Sequence, residues 1–180
     1  MVNMTNRPEV ILIAAMSIDG FIAPLDKESL PSTAWTSKED KDFFSQKSKE
    51  IGLMIMGSKT FETIGKALQD RVSIVMTSQP ERYTSHNDPD LLFTNETPKE
   101  ILENLSSQEV EQVALCGGAS IYSLFLEKGL VDKMFLTVEP FIFGEGVKLF
   151  KGEIEQEFSL LKQNRLNEKG TLLLEYEALG

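Results

Sequence analysis

The sequence has one cysteine and one histidine in 180 residues, Cys116 and His86. A single cysteine excludes an internal disulfide framework and a cysteine-rich zinc site, and a single histidine excludes a catalytic centre that needs two imidazoles. Basic residues are also few, since 18 Lys and Arg stand against 28 Asp and Glu and give a net charge of −10. Because a nucleic-acid-binding protein needs a basic face to neutralise phosphates, DNA or RNA is not the expected partner.

Long hydrophobic runs are missing as well. No apolar run approaches the roughly 18 residues that a membrane-spanning helix requires, and residues 1–10 lack the apolar stretch beside a basic region that marks a secretory signal. The composition, 41% hydrophobic and 26% charged, is that of an ordinary globular protein. We therefore expect one soluble, cytoplasmic domain over residues 1–180, with a small molecule as its partner and no membrane association.

Short apolar runs recur along the chain and predict strands that are buried on both faces. They lie at 10–15, 53–56, 73–77, 91–93, 112–116 and 134–138, and 158–161 with 171–176 predict a closing antiparallel pair. Helix signals lie between them, and Thr97-Pro98-Lys99-Glu100 combines an N-cap, a proline at the first helical position and a capping-box glutamate. This alternation predicts an α/β fold with a mostly parallel sheet. The polar residues 24–34 fit either a binding loop or a plain surface connection.

Two turns have features of anion binding. Gly117 and Gly118 follow the strand at 112–116 and precede a helix, where the backbone can approach a ligand and helix N–H groups can face phosphate. The residues Gly57-Ser58-Lys59-Thr60 also join a strand to a helix, but they lack the first glycine of a P-loop, which excludes an NTPase of that type. Each turn alone fits an ordinary tight turn or helix start equally well. Together, on neighbouring strands, they would suit the two phosphate regions of a dinucleotide.

Asp40 has three interpretations from the sequence. The spacing Ser37-x-x-Asp40 is that of a capping box, in which the acid would serve only the start of a helix. The charged neighbours Lys38, Glu39, Lys41 and Asp42 fit a solvated helix face equally well. The third interpretation is an acid that takes part in catalysis.

The ordered motifs resemble dihydrofolate reductases, within the superfamily that also contains the riboflavin-pathway pyrimidine reductases (RibD C-terminal-like). Residues 56–65 (MGSKTFETIG) are similar to that family's M-G-R-x-T-[WF]-E-S-I-G block, which is the most specific match. The other similar segments are 13–23 (IAAMSIDGFIA), the spacing Trp35-x4-Asp40-x3-Phe44, 73–80 (SIVMTSQP), 116–122 (CGGASIY) and 135–137 (FLT). The resemblance covers about residues 10–176 and implies the family's fold, a mostly parallel central sheet with an antiparallel C-terminal strand and flanking helices.

The resemblance implies NADPH-dependent reduction of 7,8-dihydrofolate to tetrahydrofolate by hydride transfer to the pterin ring. It gives catalytic roles to Asp40, which would hold the pterin 2-amino group and N3, to Thr137 behind it, and to Trp35, which would order a water. The implied substrate-binding residues are Ala14, Phe44, Ile64 and Arg71. The implied NADPH-binding residues are Ala15, Ile22, Gly57, Ser58, Lys59, Thr60, Thr77, Ser78, Gly117, Gly118, Ala119, Ser120, Ile121 and Tyr122. No metal is implied.

Arg71 stands six residues after Gly65, the spacing at which dihydrofolate reductases place the arginine that pairs with the α-carboxylate of the glutamate tail. An arginine can form a bidentate pair with a carboxylate, so the residue type matters. The alternative is a surface arginine beside Asp70.

Departures from the dihydrofolate reductase pattern keep other activities open. Ser58 stands where that family has an arginine for the adenosine phosphates, and Lys59 could supply the charge instead. Residues 129–150 look more like the pyrimidine reductases, which are usually dimers. The alternatives are therefore a reductase of the ribosylamino-pyrimidine phosphate of riboflavin synthesis, with a homodimer as its expected assembly, and a catalytically silent dinucleotide-binding module. The pair Asp40 and Thr137 argues against the silent module.

Overall fold

The computed structural model describes residues 7–25 and 34–180. Its strands are β1 (Glu9–Ser17), β2 (Phe21–Ala23), β3 (Leu53–Gly57), β4 (Val72–Met76), β5 (Leu91–Thr94), β6 (Gln112–Leu115), β7 (Lys133–Glu139), β8 (Val147–Lys148), β9 (Phe158–Arg165) and β10 (Leu172–Ala178). Its helices are α1 (Lys38–Ile51), α2 (Ser58–Ile64), α3 (Pro98–Ser107) and α4 (Ala119–Leu126), with a short 3-10 helix at Pro80–Tyr83. Of the polar loop predicted at 24–34, residues 26–33 lie outside the described part of the chain.

Eight strands form one sheet in the order β5-β4-β3-β6-β1-β7-β10-β9. The strands from β5 to β7 are parallel to their neighbours, whereas β10 runs antiparallel to β7 and β9 antiparallel to β10. This arrangement confirms the predicted fold class. Strands β2 and β8 pair in a separate two-stranded sheet that was not predicted, because three and two residues are too few to produce a recognisable pattern.

The sheet has a hydrophobic core on each face, which explains why β1 is apolar without interruption from Val10 to Met16. Val10 and Leu12 of β1 pack on the side of α3 and α4, in a cluster that also contains Phe125. Ile11 and Ile13 point the other way, toward α1 and α2. Burial of such a side chain contributes about 1.5–3 kcal/mol, so packing against both cores stabilises β1 in the middle of the sheet.

The four helices begin in two different ways. Ser37 caps α1 with its hydroxyl, and Thr97 and Glu100 form a complete capping box on α3. The first residues of α2 and α4 follow Gly57 and Gly118 and have no side-chain cap. Within the described ranges, no helix is long and apolar enough to cross a membrane.

Candidate active site

Most of the residues singled out in the sequence lie near the carboxyl ends of the parallel strands, where α/β sheets form their ligand-binding crevice, whereas Arg71 directly precedes β4. Ala14 and Ala15 of β1 lie in register with Leu136 and Thr137 of β7. The N–H of Gly57 donates to the carbonyl of Gly117 at 2.8 Å, so the turns after β3 and β6 are in contact. One group of candidates therefore surrounds β1 and β7, and a second surrounds β3 and β6.

Asp40 lies in the first turn of α1 and is 8% exposed. Burial raises the pKa of Asp40 above its ordinary value, against the opposing effect of hydrogen bonds from the side chains of Thr137 and Thr36. The negative charge of Glu139 raises this pKa further. The interpretation of Asp40 as part of a solvated helix face is therefore wrong.

Glu139 is a buried acid at the end of β7 that we did not predict. One of its carboxylate oxygens, Oε1, accepts the backbone N–H of Ser37 at 2.7 Å, and the other, Oε2, accepts the hydroxyl of Thr171 at 2.7 Å. In a complete capping box the N–H of Ser37 would bind the side chain of Asp40. Only the other half of the box is formed here, since the N–H of Asp40 donates to the Ser37 hydroxyl at 3.2 Å. The signal in the sequence was a single acid at the end of an apolar strand.

Tyr122 connects the two groups of candidate residues. Its hydroxyl donates to the carbonyl of Ile13 at 2.7 Å inside the protein, and burial raises the pKa of Tyr122 well above its ordinary value. The negative charge of Asp40 acts in the same direction, which places the two side chains in one electrostatic environment. Gly117 approaches Tyr122 closely, because a Cβ built at Gly117 would lie 2.9 Å from the hydroxyl oxygen.

Trp35, three residues before the start of α1, belongs to an aromatic cluster with Phe141 and Phe143. Its indole N–H donates to the carbonyl of Ile22 at 3.3 Å, and its ring lies 5.0 Å from Phe143 and 6.0 Å from Phe141 between centroids. The loop of Phe141 and Phe143 is held by Asp19, whose carboxylate accepts the N–H of Gly144 at 2.7 Å. Both phenylalanines and Asp19 were missed as site residues, since only the fold brings the turn after β1 to the loop after β7.

Most of the predicted cofactor residues lie in the two glycine turns and after the end of β4, while Ala15 lies on β1 and Ile22 on β2. A Cβ built at Gly118 would lie 3.3 Å from the hydroxyl of Thr60, and one built at Gly57 would lie 2.9 Å from Cγ1 of Ile121. The two turns therefore pack tightly, and their backbone is bare of side chains. The half-buried members of this group are Ala15, Ile22, Gly57, Ser58, Thr60, Thr77, Gly118 and Ile121, the exposed ones are Lys59, Ser78 and Ser120, and the buried ones are Gly117, Ala119 and Tyr122.

Arg71 is 7% exposed, so its interpretation as a surface arginine beside Asp70 is wrong. Its Nη1 donates to the hydroxyl of Ser48 at 2.8 Å and its Nε to the carbonyl of Gln69 at 3.1 Å. Burial lowers the pKa of the Arg71 guanidinium. Across residues 7–25 and 34–180, no carboxylate forms an ion pair with Arg71, and Asp70 pairs with Lys49 instead.

Phe44 and Ile64 are half-buried and pack against the core cluster on the α1 and α2 face of the sheet. Cys116 packs against the same cluster, and burial raises the pKa of its thiol to about 12, so it is protonated at neutral pH. His86 is exposed and lies edge-on to Phe61 at 5.4 Å between ring centroids. In the described part of the chain, no group of three or more His, Cys, Asp or Glu side chains is arranged to hold a metal ion.

The sheet order, with parallel strands from β5 to β7 and an antiparallel pair at the end, is that of the dihydrofolate reductase-like fold class. Within that class the chain belongs to the RibD C-terminal domain family, whose model matches residues 8–172. YwjB of Bacillus subtilis is 27% identical over 172 residues, which are 91% of this chain and 90% of that protein. The dihydrofolate reductase of Buchnera aphidicola is 30% identical over 137 residues, which are 76% of this chain and 74% of that enzyme.

Solved structures share this fold. A diaminohydroxyphosphoribosylaminopyrimidine deaminase/5-amino-6-(5-phosphoribosylamino)uracil reductase from Thermotoga maritima superposes with a TM-score of 0.77 at 18% identity over 96% of this chain, which spans 57% of that bifunctional protein. A dihydrofolate reductase from Enterococcus faecalis, complexed with NADP(H) and RAB-propyl, superposes with a TM-score of 0.71 at 24% identity, over 96% of this chain and 97% of that enzyme. At these identities the likeness establishes the fold.

Proposed function

We propose that the protein is an NADPH-dependent reductase that converts 7,8-dihydrofolate to tetrahydrofolate. The observation that carries the proposal is the buried carboxylate of Asp40, which receives hydrogen bonds from Thr36 and Thr137 beside the end of β1. A buried carboxylate of this kind suits a flat heterocycle that offers two neighbouring N–H groups, because the two charge-assisted hydrogen bonds fix the ring in one orientation.

Asp40 would act by orientation and by holding a proton near the reacting ring. The hydroxyls of Thr36 and Thr137 keep the carboxylate from rotating, which supports a fixed geometry for the substrate. Burial raises the pKa of Asp40 above its ordinary value, which makes it easier for this carboxyl group to hold a proton during the reaction. Trp35, with Phe141 and Phe143 packed around it, would restrict water to a single route toward N5 of the pterin.

The glycine turns fit a dinucleotide. The start of α4 has no side-chain cap, so the N–H groups of Ala119 and Ser120 can face a phosphate, whereas those of Ile121 and Tyr122 already donate to the carbonyl of Gly118 at 2.9 and 3.0 Å. Gly57 and Gly118 leave the backbone open there, and Lys59 offers a nearby cation in place of the arginine that Ser58 replaces. NADPH, when bound, supplies the hydride. The enzyme's own contribution is to hold that cofactor across the ends of β3 and β6.

Arg71 supports a substrate with an anionic tail. It holds Ser48, which lies eight residues after Asp40 on α1 and therefore about 12 Å further along the helix axis. A buried guanidinium is well suited to a carboxylate or a phosphate. For dihydrofolate, Arg71→Ala should raise KM with little change in kcat, because the tail is remote from the reacting atoms. An unchanged KM for dihydrofolate would remove this assignment.

A second candidate function is reduction of a ribosylamino-pyrimidine phosphate. Membership of the RibD C-terminal domain family favours this candidate. Arg71 or Lys66 would then bind the ribose phosphate. The same buried carboxylate could orient a pyrimidine as well as a pterin.

The deciding experiment measures NADPH oxidation with each of the two substrates in parallel, followed through the absorbance of the reduced nicotinamide. Faster turnover of dihydrofolate supports the first candidate, and faster turnover of the pyrimidine supports the second. NADPH binding without oxidation in either assay would instead support the catalytically silent module. Asp42→Asn is the control variant, because Asp42 is exposed on the same helix and pairs with Lys38.

A further inference from the structure

Helices α1 and α3 begin with the same sequence pattern but use it differently. In α3, the carboxylate Oε2 of Glu100 accepts the N–H of Thr97 at 2.8 Å, which completes the capping box. In α1, Asp40 occupies the position that corresponds to Glu100. The N–H of Ser37, however, donates to Oε1 of Glu139 at 2.7 Å. A carboxylate from β7 thus takes the hydrogen bond that the local sequence would give to Asp40.

The pKa values of Asp40 and Glu100 are shifted in opposite directions. The backbone and side chain of Thr97 lower the pKa of Glu100. Burial and the charge of Glu139 raise the pKa of Asp40, while Thr137 and Thr36 supply its hydrogen bonds. An Asp40 engaged in a capping box would face its own helix start, whereas here it faces the end of β7.

Glu139 is itself held from a distant part of the chain. Its Oε2 accepts the hydroxyl of Thr171 at 2.7 Å, and Nδ2 of Asn167 donates to that same hydroxyl oxygen at 2.9 Å. Asn167 also closes the turn between β9 and β10, where its Oδ1 accepts the N–H of Gly170 at 3.1 Å. Glu139 is 4% exposed, so both of its oxygens are fixed inside the protein.

We propose that Glu139 is a positioning residue, which occupies the N–H of Ser37 and thereby keeps the carboxylate of Asp40 directed into the active site. The hairpin between β9 and β10 supports it through Thr171 and Asn167. The catalytic consequence of this arrangement rests on the proposed function, while the arrangement itself can be tested without a substrate.

The first test is the amide proton shift of Ser37, measured by NMR in the free protein. Glu139→Gln should move this resonance strongly, because a charged acceptor becomes neutral, and Asp40→Asn should leave it nearly in place. The matched control is Thr97, whose amide should move in Glu100→Gln. The proposal would be overturned if the Ser37 amide resonance shifted in Asp40→Asn and did not shift in Glu139→Gln.

The second test compares two replacements of Glu139. Met has a similar volume but no strong acceptor, so Asp40 should turn back to Ser37, and the rate of hydride transfer should fall about tenfold to a hundredfold. Gln keeps an acceptor oxygen and should restore most of the rate. A Met variant that is folded and retains the wild-type rate and pH profile would refute the proposal.

The pH dependence separates positioning from simple loss of stability. The charged or titratable groups that act on Asp40 are Glu139 from β7, Lys41 from its own helix and Tyr122 from α4. Removal of the Glu139 charge in the Gln variant should move the titration of Asp40, followed by carboxyl carbon NMR, to lower pH. The control is Asp132→Asn at the other end of β7, where Asp132 accepts the N–H of Val10 at 2.8 Å. That variant should lose stability and leave the titration of Asp40 unchanged.

The outcomes distinguish the inference from the proposed function. If the wild-type protein oxidises NADPH with neither substrate, the proposed function fails, and the Ser37 amide and the Asp40 titration still decide the role of Glu139. If the Met variant does not fold, the comparison of Asp40→Asn with Glu139→Gln gives the same decision. An Asp40 titration that is identical in the wild type and in Glu139→Gln would count against the proposal.

Discussion

Replacement of Asp40 by Asn should slow the enzyme and stabilise the protein at the same time. General acid–base groups contribute roughly 100-fold to 10,000-fold to a rate, so we expect hydride transfer to fall by about 100-fold or more. That loss corresponds to about 2.7 kcal/mol in the activation free energy. The asparagine keeps a carbonyl oxygen for the hydroxyls of Thr36 and Thr137, which limits structural change.

The stability effect follows from the direction in which folding moves the pKa. Because the pKa of Asp40 is raised on folding, the native state binds more protons than the unfolded state between the unfolded and the folded pKa. The free energy of unfolding therefore falls as the pH rises through that window, by about 1.4 kcal/mol for each pH unit that separates the two pKa values. Asparagine resembles the neutral acid and does not incur this loss. Asp40→Asn should have the higher Tm in mildly alkaline buffer, and the advantage should shrink as the pH falls toward the ordinary range of an aspartic acid.

The assay combines single-turnover kinetics with thermal unfolding at several pH values. In the control variant Asp42→Asn, both the rate of hydride transfer and the Tm should stay at their wild-type values. A wild-type rate in Asp40→Asn would remove Asp40 from the mechanism. A Tm equal to or below that of the wild type in alkaline buffer would refute the argument that burial makes the charged form costly.

Three further predictions concern the surroundings of the site. Gly117→Ala should lower the free energy of unfolding by about 2–5 kcal/mol, because it combines a positive φ of +99° with displacement of the buried Tyr122 hydroxyl. The control is Gly52→Ala, where φ is +78° and the added Cβ would make only an ordinary contact at 4.0 Å. In the same denaturant titration, this control should show only the smaller cost of the strained backbone conformation. Lys59→Ala should raise KM for NADPH more than KM for NADH in steady-state assays, and equal effects on the two would mean that Lys59 does not bind the additional phosphate. Thr97→Ala should lower stability by about 1 kcal/mol with unchanged activity, since it removes only the cap of α3.

The sequence was sufficient for the elements that depend on local patterns. Continuous apolar runs correctly marked the central strands β1, β3, β4, β6 and β7, because both faces of the sheet are covered there. The cap at Thr97 and the helix start at Ser37 also follow from side chains close in sequence. Strands β2 and β8 could not be predicted from local patterns, since their pairing depends on a tertiary contact between segments more than 120 residues apart in the chain.

The members of the candidate site were proposed from motif spacing, and their arrangement is determined by the fold. Asp40, Thr137 and the glycine turns followed from motif spacing, but local sequence could not decide whether Asp40 caps its helix or faces the pocket. That choice depends on Glu139, a residue 102 positions from Ser37. The burial of Arg71 could not be predicted from local sequence either, because its partner Ser48 lies 23 positions away. The assignments to substrate and cofactor stay predictions until the assays above are done.

The last strand of the sheet also determines how the molecule can meet other chains. Strand β9 is the outermost strand beside β10, so one row of its backbone groups has no neighbour within the sheet. Its second half carries Lys162 and Arg165, charges that oppose continued strand addition, whereas its first half presents Leu160 and Leu161 at 48% and 50% exposure. The register with β10 also shifts at Leu161, since Tyr176 pairs with Leu160 and Glu175 with Lys162. This irregularity and the charged half together oppose the open-ended addition of strands along β9.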